Sequence, residues 1–153
     1  MSLQKQIGNR LKKELTALQK SPPYGIQVNL PTDDLYAWEA EIQGPEQSHY
    51  KGGIFKVRIN IPEKYPMEPP SVHFVTPIYH LNVSQSTGQV CLAFLAADKW
   101  VATGTIEQLL NALYSLLIRP EEENAFDHEV LNKYHHYDWE YKQLAQQSAS
   151  KAK

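Results

Sequence analysis

The chain has 153 residues, 42% of them hydrophobic and 21% charged, enough for a single domain that buries roughly 70% of the surface its unfolded chain exposes. Fifteen Lys and Arg against seventeen Asp and Glu leave a formal net charge of −2, so no global positive field exists to hold nucleic acid or an anionic membrane. One cysteine excludes an internal disulfide and a Cys-rich zinc site, and with no apolar leader or membrane-length apolar run the expectation is a soluble intracellular protein.

Leu3, Ile7, Leu11, Leu15 and Leu18 recur at spacings of four and three, which predicts an amphipathic helix capped by Ser2 and ended by Pro22-Pro23. From Ile26 the period changes to two. Ile26, Val28 and Leu30, then Tyr36, Trp38, Ala40 and Ile42, then Phe55, Val57, Ile59 and Ile61 alternate with polar residues and predict three strands in series. Their connections, Thr32-Asp33-Asp34, Gly44-Pro45 and Gly52-Gly53, are short enough for an antiparallel meander. A fourth short strand is expected at Val72 to Val75, after the proline-rich YPMEPP, which must be a rigid loop because proline offers no ladder donor.

Pro77 to Thr103 sustains no period, yet Tyr79, Val83, Val90, Leu92, Phe94, Leu95 and Trp100 make it too apolar for a disordered linker; such a stretch inside a domain is usually functional. Thr105 and Gln108 form a capping box ahead of Ile106, Leu109, Leu110, Leu113, Leu116 and Leu117, a helix expected to lie across the sheet as its main core partner. One short and one longer helix follow from Asp127, the second around 138–148, with about 148–153 expected as a frayed tail. The expected fold is α+β: a four-stranded antiparallel meander with an N-terminal helix, a central helix across the sheet and C-terminal helices, all in one domain over 1–153.

Charge is unevenly spread. Residues 1–20 carry Lys5, Arg10, Lys12, Lys13 and Lys20 against Glu14, while 121–129 holds Glu121, Glu122, Glu123, Asp127 and Glu129 without a Lys or Arg; both clusters are read either as solvated surface or as docking surface. Cys91 is the one strong nucleophile and lies in the irregular segment. A small buried hydrophobe is the ordinary fate of such a cysteine; a Cys–His pairing with His80 is the catalytic alternative, without the local signature of papain-like enzymes. The six histidines show no metal-ligand spacing, and no phosphate loop, nucleophile elbow or carboxylate pair is present.

Taken in order, the basic amphipathic helix, Pro-Pro, YKGGIFKV, INIPEKYPMEPPSVHF, IYHLN, GQVCL and a Trp nine residues beyond the cysteine resemble the ubiquitin-conjugating enzymes, from about Leu3 to Ala145. IYHLNV, GQVCL and the loop length to Trp100 look most like the branch that serves ligases with an acceptor cysteine. The resemblance implies that Cys91 carries ubiquitin or a related modifier as a thioester. The modifier would come from an activating enzyme that consumes the ATP, so this chain needs no bound cofactor. It would pass to a ligase cysteine or a substrate lysine. A thiol suits this work because its thiolate is both nucleophile and leaving group.

The family's His-Pro-Asn corresponds to His80-Leu81-Asn82. Asn82 would stabilise the oxyanion or tie down the active-site loop, and His80 would be a structural hydrogen-bonder rather than a base. Leu81 replaces a proline, which returns a backbone donor and is expected to loosen the turn, so that Leu81→Pro would be tolerated. VSQSTGQV is one residue longer than the usual reach to the cysteine, with Thr87-Gly88 as the turn that absorbs it. Ala93 and Asn124 stand where lysine-directed members commonly carry acids, with Asp98, Glu123 and Asp127 as nearby substitutes. Arg10, Lys12 and Lys13 would dock the activating enzyme, and Met67 and Ala102, in place of the frequent Phe and Pro, would complete the ligase face. A monomer in the cytoplasm or nucleus is implied. The runner-up reading is a non-catalytic variant that acts as a binding module, on the strength of Leu81 and the missing acids.

Overall fold

The computed structural model describes residues 2–153. Helix α1 (Leu3–Lys20) starts where the Ser2 hydroxyl accepts the Lys5 N–H at 3.2 Å and ends at Ser21, whose N–H reaches Ala17 O ahead of the two prolines. Ile7, Leu11 and Leu18 bury the predicted face, whereas Leu3 remains exposed. Strands β1 (Ile26–Asn29), β2 (Ala37–Gln43), β3 (Ile54–Asn60) and β4 (Ser71–Phe74) form one antiparallel sheet in the order β1-β2-β3-β4.

Register follows the hydrophobic pattern. Ala40 lies opposite both Val28 and Val57, and Val57 opposite Phe74, so the inward positions of all four strands share one face. β4 stops one residue earlier than its pattern suggests. The reason is local: Val75 and Thr76 N–H both turn to Lys56 O, while the Thr76 hydroxyl accepts the Lys56 N–H at 2.9 Å in place of a ladder carbonyl.

Helix α2 (Ile106–Ile118) is the main apolar partner of that face. Ile106, Leu109, Leu110, Leu113, Leu116 and Leu117 are buried in one cluster with Trp38, Phe55, Val57 and Ile59, and the Thr105/Gln108 capping box forms reciprocally. Helices α3 (His128–His136) and α4 (Asp138–Lys151) build a smaller cluster in which Leu81, Val130 and Tyr141 are buried. The segment between β4 and α2 contains a 3-10 turn at Ala93–Leu95 and isolated bridges Val83↔Val90 and His73↔Gln89. Gly88 turns there with φ +78°, a conformation that favours glycine, and a Cβ would lie 2.2 Å from Phe74 O.

The end of the chain differs from expectation. Residues 148–153 are not a frayed tail: α4 runs to Lys151, Ala149 and Ala152 are buried in the main core, and Ile54 N–H donates to Ala152 O. Small alanines let the backbone approach β3 closely enough to satisfy its first donor, a contact that a solvent-exposed reading of a polar, Lys-flanked tail does not foresee. Gly53 makes the approach possible, since a Cβ there would stand 2.8 Å from the Phe55 ring and 3.0 Å from Ala149 Cα. Gly53→Ala is therefore expected to cost about 1–3 kcal/mol through overpacking, read as a lower urea midpoint at unchanged slope.

Candidate active site

The turn ahead of Cys91 is buried and held by polar contacts. The His80 ring is fully buried; its Nδ1 accepts the Asn82 N–H at 2.9 Å and its Nε2 meets Leu116 O at 2.9 Å. An amide N–H only donates and a carbonyl only accepts, so the proton sits on Nε2. Burial pushes the imidazole pKa down to about 4, against the smaller upward pull of the Leu116 carbonyl. His80 is thus a neutral strut. It satisfies one of the carbonyls that the last turn of α2 leaves open.

Leu81 corrects the expectation of a loosened turn. Its side chain is fully buried beside Val130 and Tyr141, its N–H donates to Tyr141 Oη at 3.1 Å, and its carbonyl accepts the Phe126 N–H at 3.0 Å. Tyr50 Oη donates to Tyr79 O at 2.6 Å, which leaves the Tyr141 proton for the longer 3.5 Å contact with Tyr50 Oη. The donor that a proline would lack is used, and α4 is fastened to the turn through it. Burial, above all, raises the pKa of Tyr50 and of Tyr141, so both stay neutral.

Asn82 is entirely buried, and every polar atom of its amide is engaged. Nδ2 donates to Glu121 O and Asn124 O, both at 2.7 Å, and Oδ1 accepts the Glu121 N–H at 2.9 Å. No amide proton is free for an oxyanion in this arrangement; the side chain ties the loop to the segment after α2. The Asn82 carbonyl in turn accepts the Cys91 N–H at 2.8 Å. Cys91 is half-buried and unbridged.

Two residues on, the Ala93 N–H donates to Glu121 Oε1 at 2.9 Å, and the same oxygen accepts from Asn124 Nδ2 at 2.9 Å. Sequence reasoning missed Glu121, which it treated as one of an acidic run. Its partners lie 28 and 39 residues away in the chain, beyond any local pattern. Asn124 is a hydrogen-bonded part of the 3-10 turn Glu122–Asn124. Asp98 and Glu123 are exposed, and Asp127 starts α3 without a side-chain cap bond.

The residues assigned to partner docking gather elsewhere, and one of them is committed. Arg10 Nε pairs with Glu14 Oε2 at 3.2 Å, its Nη atoms donate to Ala102 O at 3.3 Å and Gly104 O at 2.6 Å, and its guanidinium lies 5.2 Å from the Tyr65 ring centre. Glu14 also accepts from Tyr65 Oη at 2.7 Å and from the Ile106 N–H at 2.8 Å. Arg10 is therefore a brace between α1 and the 102–104 loop, with its side chain still 32% exposed; Lys12 and Lys13 are exposed. Trp100 Nε1 donates to Pro66 O at 2.7 Å, so the loops bearing Met67, 74% exposed, and Ala102, also exposed, adjoin α1 on one face.

Leu81→Pro removes the Tyr141 contact and part of a buried side chain, so it is expected to destabilise by about 2–4 kcal/mol, contrary to the tolerance read from sequence; urea unfolding decides. For His80, the folded pKa of about 4 lies below the ordinary 6.5. The unfolded chain then binds more protons between those values. Stability is full above about pH 6.5 and falls as pH drops toward 4, by on the order of 3 kcal/mol in all. A His80 ring resonance that titrates above pH 6 would contradict this.

Comparison with known proteins follows the same lines as the geometry. The family model described as ubiquitin-conjugating enzyme matches residues 10–149. The Schizosaccharomyces pombe protein named ubiquitin-conjugating enzyme E2 1 is 42% identical over 125 residues, which is 82% of this chain and 57% of that protein, so the chain spans little more than half the length of this relative. A match over residues 10–149 takes in part of α1, the meander, the cysteine segment and most of the C-terminal helices: the chain belongs to the ubiquitin-conjugating enzymes.

Proposed function

We propose that Cys91 receives ubiquitin or a ubiquitin-like modifier from an activating enzyme and transfers it preferentially to a ligase cysteine rather than to a lysine. In loading, the Cys91 thiolate attacks the thioester carbonyl at the modifier's C-terminus and the activating enzyme's thiolate leaves; in transfer, Cys91 is the leaving group. ATP is spent by the activating enzyme, and this chain supplies proximity and orientation without a bound cofactor. The observation that carries the reading is a half-buried, unbridged thiol whose backbone is held at Cys91 N–H by Asn82 O.

The acceptor preference rests on the surroundings. Position 93 offers no carboxylate, the Asn124 amide is bonded to Glu121, and the Glu121 oxygen that faces this segment already accepts two N–H groups. A lysine of pKa ~10.4 is neutral less than ~0.1% of the time at pH 7, so aminolysis needs help that thiol exchange does not. A cysteine of ordinary pKa ~8.5 is already a few per cent thiolate. The binding-module reading loses one of its two supports, because Leu81 is built into the turn rather than disrupting it.

Loading with activating enzyme, ATP and ubiquitin, read on a non-reducing gel, tests the proposal. Wild type is expected to give a reducible band and Cys91→Ser a conjugate that resists reduction, the alkoxide being a poorer leaving group than the thiolate. The purified thioester should discharge onto free cysteine much faster than onto free lysine. A reducible conjugate in Cys91→Ala, no band across a panel of activating-enzyme and modifier pairs, or lysine discharge as fast as cysteine discharge would each defeat the corresponding step.

A further inference from the structure

The structure assigns to Glu121 the role of positioning residue for the Cys91 segment, an inference that rests on the proposed thioester function and deepens it. Cys91, Leu92 and Ala93 are held at both ends. The Cys91 N–H is taken by the Asn82 carbonyl and the Ala93 N–H by Glu121 Oε1, while the Asn82 side chain grips the Glu121 backbone through N–H and C=O alike. These bonds close a ring that runs from the cysteine through Ala93, Glu121 and Asn82 back to the cysteine. Asn82 and Glu121 both close it with their side chains, and Glu121 is the one whose side chain reaches the stretch after the cysteine.

The 3-10 turn Ala93–Leu95 opens at Ala93, whose N–H points out of the turn and is received by Glu121 Oε1, since the first N–H of a helical turn has no partner within it. The same oxygen holds Asn124 Nδ2, so one carboxylate fixes the stretch after the cysteine against the 3-10 turn on the other side of the site. It does this by accepting hydrogen bonds. Glutamine, whose amide oxygen has two lone pairs, is expected to substitute; aspartate, one methylene shorter, is not. Glu121→Ala leaves the backbone groups that hold Asn82, so it removes the latch alone.

Two readouts test this. In the unloaded protein, the Ala93 amide is expected to lose hydrogen-exchange protection at least tenfold in Glu121→Ala and Glu121→Asp and to keep it within about threefold in Glu121→Gln. In the loaded protein, discharge onto free cysteine should slow roughly 10- to 100-fold in the Ala and Asp variants and recover to within about threefold of wild type in Gln, with thermal melting of all three near wild type. A Gln variant as slow as Ala would show that charge, not position, matters and would overturn the assignment. So would wild-type discharge and unchanged Ala93 protection in Glu121→Ala. Should the wild-type protein fail to load at all, the thioester function falls, while the Ala93 measurement still decides whether Glu121 holds this segment.

Discussion

Backbone groups removed from water must find partners, and between β4 and α2 the chain has almost no ladder or helix to provide them. Cys91 lies in that stretch. What replaces regular structure is the buried Asn82 amide, which uses two donors and one acceptor to join the turn before the cysteine to the segment after α2. An unmade bond to such a buried group costs about 1–3 kcal/mol, so the three bonds stand or fall together. Once Asn82 is fixed, its own carbonyl fixes the Cys91 N–H. The placement of the thiol follows from satisfying a polar group that has nowhere else to turn.

The same economy of partners governs α2. A helix leaves its first four N–H and last four C=O groups open, and here distant residues take one at each end. Glu14, from α1, accepts the Ile106 N–H at the positive end of the helix dipole, and His80 donates to Leu116 O in the last turn. The helix that fills the core is thereby also the beam to which both working loops are attached. Its apolar face sets the distance from the sheet, and its two polar ends set where the loops begin.

Much of this was legible in the residues. Period-two alternation gave the meander and its inward face, since any slip of one residue would have turned Val57 and Ile59 to solvent, and Thr105 with Gln108 marked the start of α2 through a local capping box. Features that depend on contacts between remote segments were not legible. Glu121 and Arg10 read as surface charges because their partners, Ala93 and Gly104, lie 28 and 94 residues off. Ala149 and Ala152 read as tail because alanine gives no pattern strong enough to announce burial. Leu81 was misread for a subtler reason. A freed N–H loosens a turn only if nothing accepts from it, and the acceptor, Tyr141 Oη, arrives from α4 sixty residues later.

The distances along α2 carry one more step. The ten steps from Ile106 to Leu116 at 1.5 Å each span about 15 Å, and that length separates the Glu14 attachment from the His80 attachment. At the first end, Arg10, Glu14, Tyr65 and the Trp100–Pro66 contact bind α1 and the Met67 and Ala102 loops into one face. At the second, His80 and Asn82 hold the turn that holds Cys91.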